Sequence, residues 1–349
     1  MENKVLRQSL GIDVSKESLS RCLGSLNADL GKSFIPALDV SNDQEGFKAL
    51  VKWLESVREK GVDLSIVMEA TGVYHEALAW FLYEKGYTVC IMQSGRVKRY
   101  AQSLDQRSKT DALDSKMLSM LGCERQLRAW EPPSPLLQEL KALSRERSTL
   151  LKEELIIKNR LSALRSGSHP NKRSVKRYTK RLALLKDQMR EIELDMRELV
   201  AEDPELSKKF SYLESIPGVS FVLTATVVAE TGGFNLITSA KQLTSYAGYD
   251  VVLRESGRYR GRTTISKKGN SRIRGVLHMP SMAAIRINPT LRPFYLRLKE
   301  KKSKPIVALV AVQRKMLILM FELWKKEEFY DAEFEQKKAA SLHETCYTG

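Results

Sequence analysis

Four carboxylates lie where a charged side chain needs a cation nearby. They are Asp13 in Leu10-Gly-Ile-Asp-Val14, Glu69 in Ser65-Ile-Val-Met-Glu-Ala-Thr71, and Asp111 and Asp114 in Lys109-Thr-Asp-Ala-Leu-Asp-Ser115. An acid at the end of a short buried strand is expensive to desolvate unless a cation compensates it, and carboxylate oxygens are the ligands that Mg²⁺ prefers. The four acids therefore predict a site for Mg²⁺, or for Mn²⁺, with phosphoryl transfer as its chemistry.

The spacing of the four acids supports one shared site. Asp111 and Asp114 are three residues apart in a good helix-forming stretch, so their Cβ atoms lie roughly 5 to 6 Å apart on one helix face. Asp13 and Glu69 each follow a run typical of a buried strand, and parallel neighbours would bring them to one end of a sheet. Two divalent ions about 3.5 to 4 Å apart would then flank a phosphate, one activating the attacking oxygen and one stabilising the leaving oxygen.

Each acid alone also has a structural explanation. An Asp near the end of a strand is usually a turn or cap former, and an Asp pair on a helix is usually part of a solvated face. Glu69 is harder to explain in this way, because Ile66-Val67-Met68 predicts a buried strand that leads directly into it. The whole set, in the order strand, strand, helix, is more specific than any one member.

Length and charge favour a nucleic acid as the substrate. The chain has 349 residues, more than one typical domain, and a formal net charge of +16, which predicts a polyphosphate or another acidic partner. The sequence contains no run of eighteen apolar residues, so we expect no membrane partner, and its first residues lack the apolar core of a signal peptide. The four cysteines and four histidines show no zinc-ligand spacing, so we expect a reduced, cytoplasmic protein.

The pattern of residues 1–128 predicts an α/β domain. Its predicted strands are Val5–Val14, Ser18–Leu26, Ser33–Val40, Leu64–Met68 and Tyr87–Gln93, and its predicted helices begin near Asp43 and near Tyr74, with further helices after the last strand. The Pro-rich hinge Glu131-Pro-Pro-Ser-Pro135 follows the domain.

Residues 136–204 change to a helical period, with apolar side chains at alternating spacings of three and four. The first stretch holds Leu136, Leu140, Leu143, Leu150, Ile157, Leu161 and Leu164, and the second holds Tyr178, Leu182, Leu185, Met189, Ile192, Met196 and Leu199. Gly167-Ser-His-Pro170 separates them. This pattern predicts a coiled-coil hairpin of two antiparallel helices, which is either a structural spacer or a dimerisation arm.

Basic residues cluster at the predicted tip of this hairpin. A run of charges is usually a solvated face, but in so basic a chain we expect a nucleic-acid contact. The cluster contains Lys172, Arg173, Lys176, Arg177, Lys180 and Arg181.

Residues 205–330 predict a mainly helical domain with a short β or loop insert, and residues 331–349 a tail. Ser215-Ile-Pro-Gly-Val-Ser220 before an apolar helix resembles half of a helix-hairpin-helix, whose amides can hold a phosphate, although Pro-Gly turns before helices are common. In the insert, Ser256 precedes Gly257 and is surrounded by cations that would bind the oxygens of a scissile phosphate. A Ser before a Gly in a loop is, however, usually only a turn residue. The cations that we expect to contact nucleic acid there are Arg254, Arg258, Arg260, Arg262, Lys267, Lys268 and Arg272.

Several of these motifs, in this order, resemble one family over nearly the whole chain. Gly11-Ile-Asp-Val14, Met68-Glu-Ala-Thr-Gly72, Lys109-Thr-Asp-Ala-Leu-Asp114, Ile216-Pro-Gly218 and Glu255-Ser-Gly257 followed by Ser266-Lys-Lys-Gly-Asn270 resemble the DEDD transposases of insertion-sequence family one-ten, relatives of the Piv DNA invertase. The resemblance implies a RuvC-like, ribonuclease-H-type N-terminal fold, a coiled-coil middle and a C-terminal transposase domain with a nucleophilic serine. It also implies a recombinase that acts on donor and target DNA under the guidance of a structured bridge RNA.

The resemblance also implies roles for individual residues. Carried over by position, Asp13, Glu69, Asp111 and Asp114 would be the metal-binding catalytic tetrad and Ser256 the nucleophile. The family resemblance further implies a composite site built from two protomers, and hence a homodimer or homotetramer. The sequence departs from the family pattern in two places. Ala247-Gly-Tyr-Asp250 replaces a frequent Gly-Leu-x-Pro stretch, which affects the backbone path of the loop that carries Ser256. Ser220 replaces a frequent Gly, which affects only the phosphate-holding turn.

Three other functions are compatible with the same residues. A serine hydroxyl needs a base or a metal to become a nucleophile, and its attack on DNA gives a phosphoserine ester from which strands rejoin without ATP. In a RuvC-like, metal-dependent DNA nuclease, water would replace the serine; a Piv-like invertase would work without a guide RNA. In a non-enzymatic nucleic-acid-binding protein, the acids would be structural and the basic clusters would provide the function.

Overall fold

The computed structural model describes residues 4–70, 72–104, 110–235, 237–252, 255–256, 259–260, 264–301 and 304–333. The chain divides into two compact units, residues 1–132 and 133–349. Among the described residues, no helix combines the length and the apolar character that crossing a membrane requires.

The first unit is a mixed sheet with helices. Its elements are β1 (Val5–Val14), β2 (Ser18–Asn27), β3 (Lys32–Ser41), α1 (Gln44–Val57), β4 (Leu64–Glu69), α2 (Glu76–Glu84), β5 (Thr88–Met92), α3 (Ser94–Ser103) and α4 (Asp111–Glu124). The strand order is β3-β2-β1-β4-β5. β1 pairs antiparallel with β2 and parallel with β4, and β4 pairs parallel with β5.

These elements confirm the α/β prediction for the first part of the chain. Asp43 caps α1 by accepting a hydrogen bond from the Gly46 amide at 2.8 Å, and Thr110 caps α4 in the same way. α2 begins at Glu76 rather than near Tyr74, because a turn that includes Gly72 at a positive φ of 56° comes first. A left-handed residue at that point cannot continue into a helix.

The two faces of the sheet are buried against different helices. One face packs against α1 and α2 through Leu10, Ile12, Val14, Leu50, Leu54 and Leu78. The other face packs against α3 and α4 through Val67, Cys90, Val97, Tyr100, Leu118 and Leu121. Because successive strand residues alternate between faces, residues near the centre of β1 contribute alternately to the two layers.

On the second face, α4 lies directly on the backbone of β1. A Cβ atom at Gly11 would overlap the carbonyl oxygen of Ser115 and the amide nitrogen of Ser119. A Cβ atom at Gly122 would overlap the hydroxyl of Ser9, and Ser119 Oγ donates a hydrogen bond to the Ser9 carbonyl at 2.9 Å. Small residues on both partners therefore bring helix and strand backbones into contact.

The second unit is mostly helical. Its elements are α5 (Pro135–Ser166), α6 (Lys172–Ala201), α7 (Pro204–Glu214), α8 (Phe221–Thr231), α9 (Ala240–Ala247), β6 (Val251–Val252), β7 (Glu255–Ser256), β8 (Tyr259–Arg260), β9 (Thr264–Ile265), α10 (Ser271–Val276), α11 (His278–Ile287), α12 (Leu291–Lys301) and α13 (Pro305–Lys326). One hydrophobic core joins the roots of α5 and α6 to α7–α13. Of the predicted tail at 331–349, only residues 331–333 are described.

The two long helices α5 and α6 pack side by side. All fourteen apolar positions of the two predicted stripes are buried or half-buried. Two ion pairs join the helices, Arg147–Glu193 at 2.6 Å and Arg181–Glu153 at 3.7 Å. Both pairs join residues at nearly equal chain distances from the connection, so the helices are antiparallel. Supercoiling of this pair stays a prediction.

A buried carboxylate anchors α8 to its neighbours in the second unit. The Glu230 side chain is 1% exposed and accepts hydrogen bonds from Arg145 Nε at 2.8 Å and Arg145 Nη2 at 3.2 Å. Asn270 donates a third hydrogen bond at 2.7 Å, and the Tyr246 hydroxyl donates to the Glu230 carbonyl at 2.6 Å. Burial alone would raise the pKa of Glu230, but these bonds hold it below its usual value.

Gly11→Ala is expected to destabilise the first unit by on the order of 2 to 3 kcal/mol, because the new methyl group forces α4 away from β1. Gly95→Ala in α3 is the matched control, since a Cβ there meets no heavy atom within 4 Å. The control is expected to leave stability unchanged or to raise it by up to about 1 kcal/mol. Urea unfolding of the two variants measures the difference. Equal stability of both would show that the close contact is absent.

Glu230→Gln is expected to lower stability at pH 7 by on the order of 2 to 3 kcal/mol, because it removes the charge that Arg145 needs. Since the folded pKa of Glu230 is depressed, its contribution is present above the ordinary carboxyl pKa and is lost as the pH falls through the lower folded value. The gap between wild-type and variant melting temperatures should therefore narrow below about pH 4. Glu205→Gln, at a carboxylate with a 78% exposed side chain, is the control and should show almost no gap at either pH.

Candidate active site

Asp13 and Glu69 lie side by side at one end of the sheet. The parallel register of β1 and β4 pairs Gly11 with Val67 and Ile12 with Met68, so Asp13 and Glu69 are the next residues on the two strands. Both side chains are half-buried. The prediction that parallel strands bring these two acids together is confirmed at the level of the backbone.

Both acids are on the sheet face that α4 covers. Gly11 and Val67 contact α4, and side chains two residues apart on a strand share a face. Asp13 is two residues after Gly11, and Glu69 is two residues after Val67. Their carboxylates therefore emerge towards the α4 side of the sheet, beyond the strand residues on which the helix lies.

The first turn of α4 carries the other two acids to the same end. Gly122 lies against Ser9 and Ser115 against Gly11, so α4 runs antiparallel to β1. From Ser115, the helix rises about 6 Å back to Asp111. From Gly11, the strand advances about 7 Å to Asp13. The start of the helix and the end of the strand thus reach similar heights, and acids in a first helical turn also interact favourably with the helix dipole.

The four acids have the donor chemistry of a divalent-cation site without forming a ready-made cluster. Within the described part of the chain, no three His, Cys, Asp or Glu side chains are close enough together to hold a metal ion. The oxygens of the four acids are hard ligands, the acids approach from two strands and one helix, and Asp111 is exposed. These residues fit Mg²⁺ or Mn²⁺ by ligand type and by backbone position.

Ser256 lies in a small β insert of the second unit. β6 pairs with β9 at the base of the insert, and further out β7 pairs with β8, with Ser256 opposite Tyr259. Ser256 is exposed. The sequence predicted a short β or loop insert here, and the structure has two short antiparallel pairings. Of the predicted cations, Arg254, Arg258 and Arg262 lie outside the described residues, and Arg260 is described only as part of β8.

The base of the insert is fixed by backbone contacts. Ser266 N donates to the Asp250 carbonyl at 2.7 Å, and Lys267 N donates to the Gly248 carbonyl at 3.1 Å. A Cβ atom at Gly269 would overlap the Tyr246 carbonyl oxygen. The backbone at the two ends of the insert, which we call its foot, is therefore held against the end of α9.

Three other hydroxyls at the base of the insert, those of Tyr246, Tyr249 and Ser266, belong to residues less exposed than Ser256. Burial raises the pKa values of Tyr246 and Tyr249, which disfavours their phenolates. The Tyr249 hydroxyl donates to Gln313 at 3.1 Å inside the core. Ser266 Oγ accepts from the Lys268 amide at 3.3 Å. An exposed hydroxyl at Ser256 is the more accessible group.

The predicted basic contacts that the structure describes are on the surface. The cations at the start of α6 are Lys172, Arg173, Lys176 and Arg177, and all four are exposed. Lys267, Lys268 and Arg272 after the insert are exposed as well, and Lys267 has a positive φ of 54°. A phosphate backbone would have access to both groups.

The Ile216-Pro-Gly turn joins α7 to α8 and packs tightly. Gly218 has a φ of 100°, and a Cβ there would lie 2.7 Å from the Ala284 Cβ. Ser220 is the N-cap of α8, with its hydroxyl 3.4 Å from the Leu223 amide. The residue that departs from the family pattern thus satisfies one of the amides that a phosphate would bind.

Glu230 and Arg145 are the residues that sequence reasoning missed. Glu230 is a lone acid in the apolar stretch Leu223–Glu230, which is a signal that a buried cation partner must exist. That partner is 85 residues away on α5. Only the fold identifies it.

Two family models match this chain. A DEDD transposase model of the IS110 type, described as a transposase, matches residues 10–170, and the model of the IS116/IS110/IS902 transposase family matches residues 211–296. The first range contains all four acids. The second range contains Ser256 and Glu230.

Individual proteins are also similar to this chain. The pilin gene-inverting proteins of Moraxella bovis and Moraxella lacunata are each 26% identical over 325 residues, which is 92% of this chain and 97% of each relative. Among solved structures, T. thermophilus RuvC in complex with a Holliday junction substrate matches 35% of this chain and 99% of its own at 10% identity, with a TM-score of 0.28. From the two family models and the Moraxella relatives together, the chain belongs to the IS110 family of transposases.

Proposed function

We propose that this transposase cleaves and rejoins DNA strands with two sets of groups, a metal-binding tetrad of Asp13, Glu69, Asp111 and Asp114 and the nucleophile Ser256. The observation that supports the proposal is the backbone arrangement of β1, β4 and α4, in which the ends of the two strands and the start of the helix lie at the same end of the sheet, within a DEDD transposase match. The sheet order β3-β2-β1-β4-β5 also supports a RuvC-like, ribonuclease-H-type fold for this unit.

The tetrad would hold Mg²⁺ or Mn²⁺ against the scissile phosphate. When bound, such an ion supplies Lewis-acid stabilisation of phosphate oxygens and lowers the pKa of an attacking hydroxyl. Asp13 and Glu69 would orient it from the strand ends, where the sheet holds their backbones rigidly. Asp111 and Asp114 would approach it from the first turn of α4, whose position depends on the contact at Gly11.

Ser256 would carry out the covalent step. Its Oγ forms a bond to phosphorus while the bond from phosphorus to one DNA oxygen breaks, so that the serine proton ends on the released DNA hydroxyl. The phosphoserine ester keeps the energy of the phosphodiester. Attack by the hydroxyl of another DNA end then restores Ser256 and completes strand exchange. Water in place of that hydroxyl would give cleavage alone.

The proposed recombinase is a homo-oligomer that works with a guide RNA. The family resemblance implies that the tetrad and Ser256 form a composite site built from two protomers, so we propose a homodimer or homotetramer. A structured bridge RNA would select donor and target DNA, while the exposed cations at the start of α6 and after the insert supply backbone contacts. Such contacts carry little sequence information by themselves.

A second candidate function is DNA inversion without an RNA guide. It is favoured by the two Moraxella pilin gene-inverting proteins, which match nearly the full chain. Recombination assays with protein that has been freed of RNA separate the two. Site-specific exchange without RNA would support the invertase, and its restoration only by added RNA would support guidance.

Glu69→Ala is expected to reduce strand exchange to background while stability holds or rises slightly, because a metal ligand and a source of carboxylate repulsion are lost together. Asp63→Ala is the matched control, since Asp63 is an exposed acid just before the opposite end of β4. The control should recombine like wild type. Strand exchange at a near wild-type rate by Glu69→Ala would rule out a role for Glu69 in the site.

Ser256→Ala is expected to abolish strand exchange and to leave binding of DNA unchanged within about twofold, because the exposed cations remain. Ser271→Ala, at an exposed serine in α10, is the control and should recombine normally. Gel assays of exchange and binding on the same samples measure both properties. Residual exchange by Ser256→Ala, or loss of exchange by Ser271→Ala, would place the nucleophile elsewhere.

A further inference from the structure

Two arginines share the buried carboxylate of Glu230 and remain accessible. Arg145 forms the bidentate pair described above, and Arg272 Nε lies 3.8 Å from Glu230 Oε1. The Glu230 side chain is 1% exposed, whereas the side chains of Arg145 and Arg272 are 39% and 45% exposed. One face of this cluster is therefore core, and the other is solvent.

The cluster keeps a positive charge on its solvent face. Glu230 supplies one negative charge against two guanidinium groups, and Lys141 also contributes positive potential at Glu230. The depressed pKa of Glu230 means that the carboxylate stays ionised at neutral pH. It therefore fixes the orientation of Arg145 through two hydrogen bonds without neutralising the cluster.

The cluster is joined to the foot of the serine insert. Asn270 donates to Glu230 at 2.7 Å, and its own side-chain oxygen accepts from the amides of Arg272 and Ile273 at 3.0 and 3.2 Å. Asn270 N also donates to the Tyr246 carbonyl at 2.8 Å. Arg272 is therefore held by the same short segment that follows β9, while Arg145 reaches it from α5.

We propose that Arg145 and Arg272 form a phosphodiester-binding site, which we name the arginine pair, and that Glu230 is its positioning residue. Guanidinium groups suit this ligand because their planar N–H donors match phosphate oxygens. The ligand is a phosphodiester of a nucleic-acid strand that passes the foot of the insert. The inference rests on the proposed function only in that such a strand must reach Ser256.

The Arg145–Glu230 ion pair could instead have a purely structural role. A structural pair predicts that Arg145 affects stability and that it affects binding only through net charge. The chain offers a matched control two residues away on α5, because Arg147 also pairs with a carboxylate, Glu193 at 2.6 Å, and its side chain is 22% exposed. Substitutions at the two positions change net charge equally on one helix.

The experiment measures binding to a 30-base-pair DNA duplex, and separately to an RNA hairpin, over a range of salt concentrations. Arg145→Ala is expected to reduce the slope of log affinity against log salt by about 0.9 on duplex DNA, which corresponds to one lost phosphate contact, and Arg147→Ala is expected to leave it unchanged. A change with DNA alone, or with RNA alone, identifies the strand that the pair binds. Equal slopes for both variants on both probes would overturn the proposal.

Arg145→Lys and Arg147→Lys separate fork geometry from charge and guard against misfolding. Both keep net charge, and melting temperatures confirm the fold. Arg145→Lys is expected to weaken binding severalfold where Arg147→Lys does not, because an ammonium cannot donate two parallel hydrogen bonds to Glu230 and still present a second N–H edge to the phosphate. Wild-type binding by folded Arg145→Lys would contradict the proposal. Because Ser256→Ala should bind with the wild-type slope, failure of the serine assignment would leave this result interpretable.

Discussion

The close contact between β1 and α4 is the constraint on which the candidate active site depends. At Gly11 no side chain separates the strand from the helix, and the carbonyl of Ser115 occupies the space that a Cβ would need. Helix and strand run antiparallel from this point, so the helix start and the strand end reach the same edge of the sheet. A larger residue in place of Gly11 would move Asp111 and Asp114 away from Asp13, although none of these three acids would itself be changed.

In the second unit a single buried charge has a comparable role. Glu230 on α8 must be compensated, and the groups that compensate it come from α5 and from the segment that follows the serine insert. Leaving such a carboxylate without its partners would be strongly destabilising. The requirement therefore joins the root of α5 to the segment that follows the insert, and the side chains of Arg145 and Arg272 stay 39% and 45% exposed.

Local patterns in the sequence were sufficient for much of the fold. The runs before Asp13 and Glu69, each typical of a buried strand, predicted two parallel strands, and their register confirms that Asp13 and Glu69 are neighbours along the backbone. The spacing of apolar residues predicted the two long helices, whose stripes are buried as expected. The family resemblance drawn from the motifs is confirmed by two family models. What could not be predicted is non-local: no pattern within a few residues reveals that Gly11 meets Ser115, or that Glu230 meets Arg145 across 85 residues.

The central claim is that the four acids converge on a divalent cation at the end of β1. Anomalous diffraction from crystals of the full chain grown with Mn²⁺ tests it most directly, with Asp111→Ala crystals as the comparison. The account predicts a manganese peak in contact with Asp13, Glu69 and at least one acid of α4, and a weakened or absent peak in the variant. A wild-type structure with Mn²⁺ bound elsewhere, or with the four carboxylates still apart at saturating Mn²⁺, would contradict it.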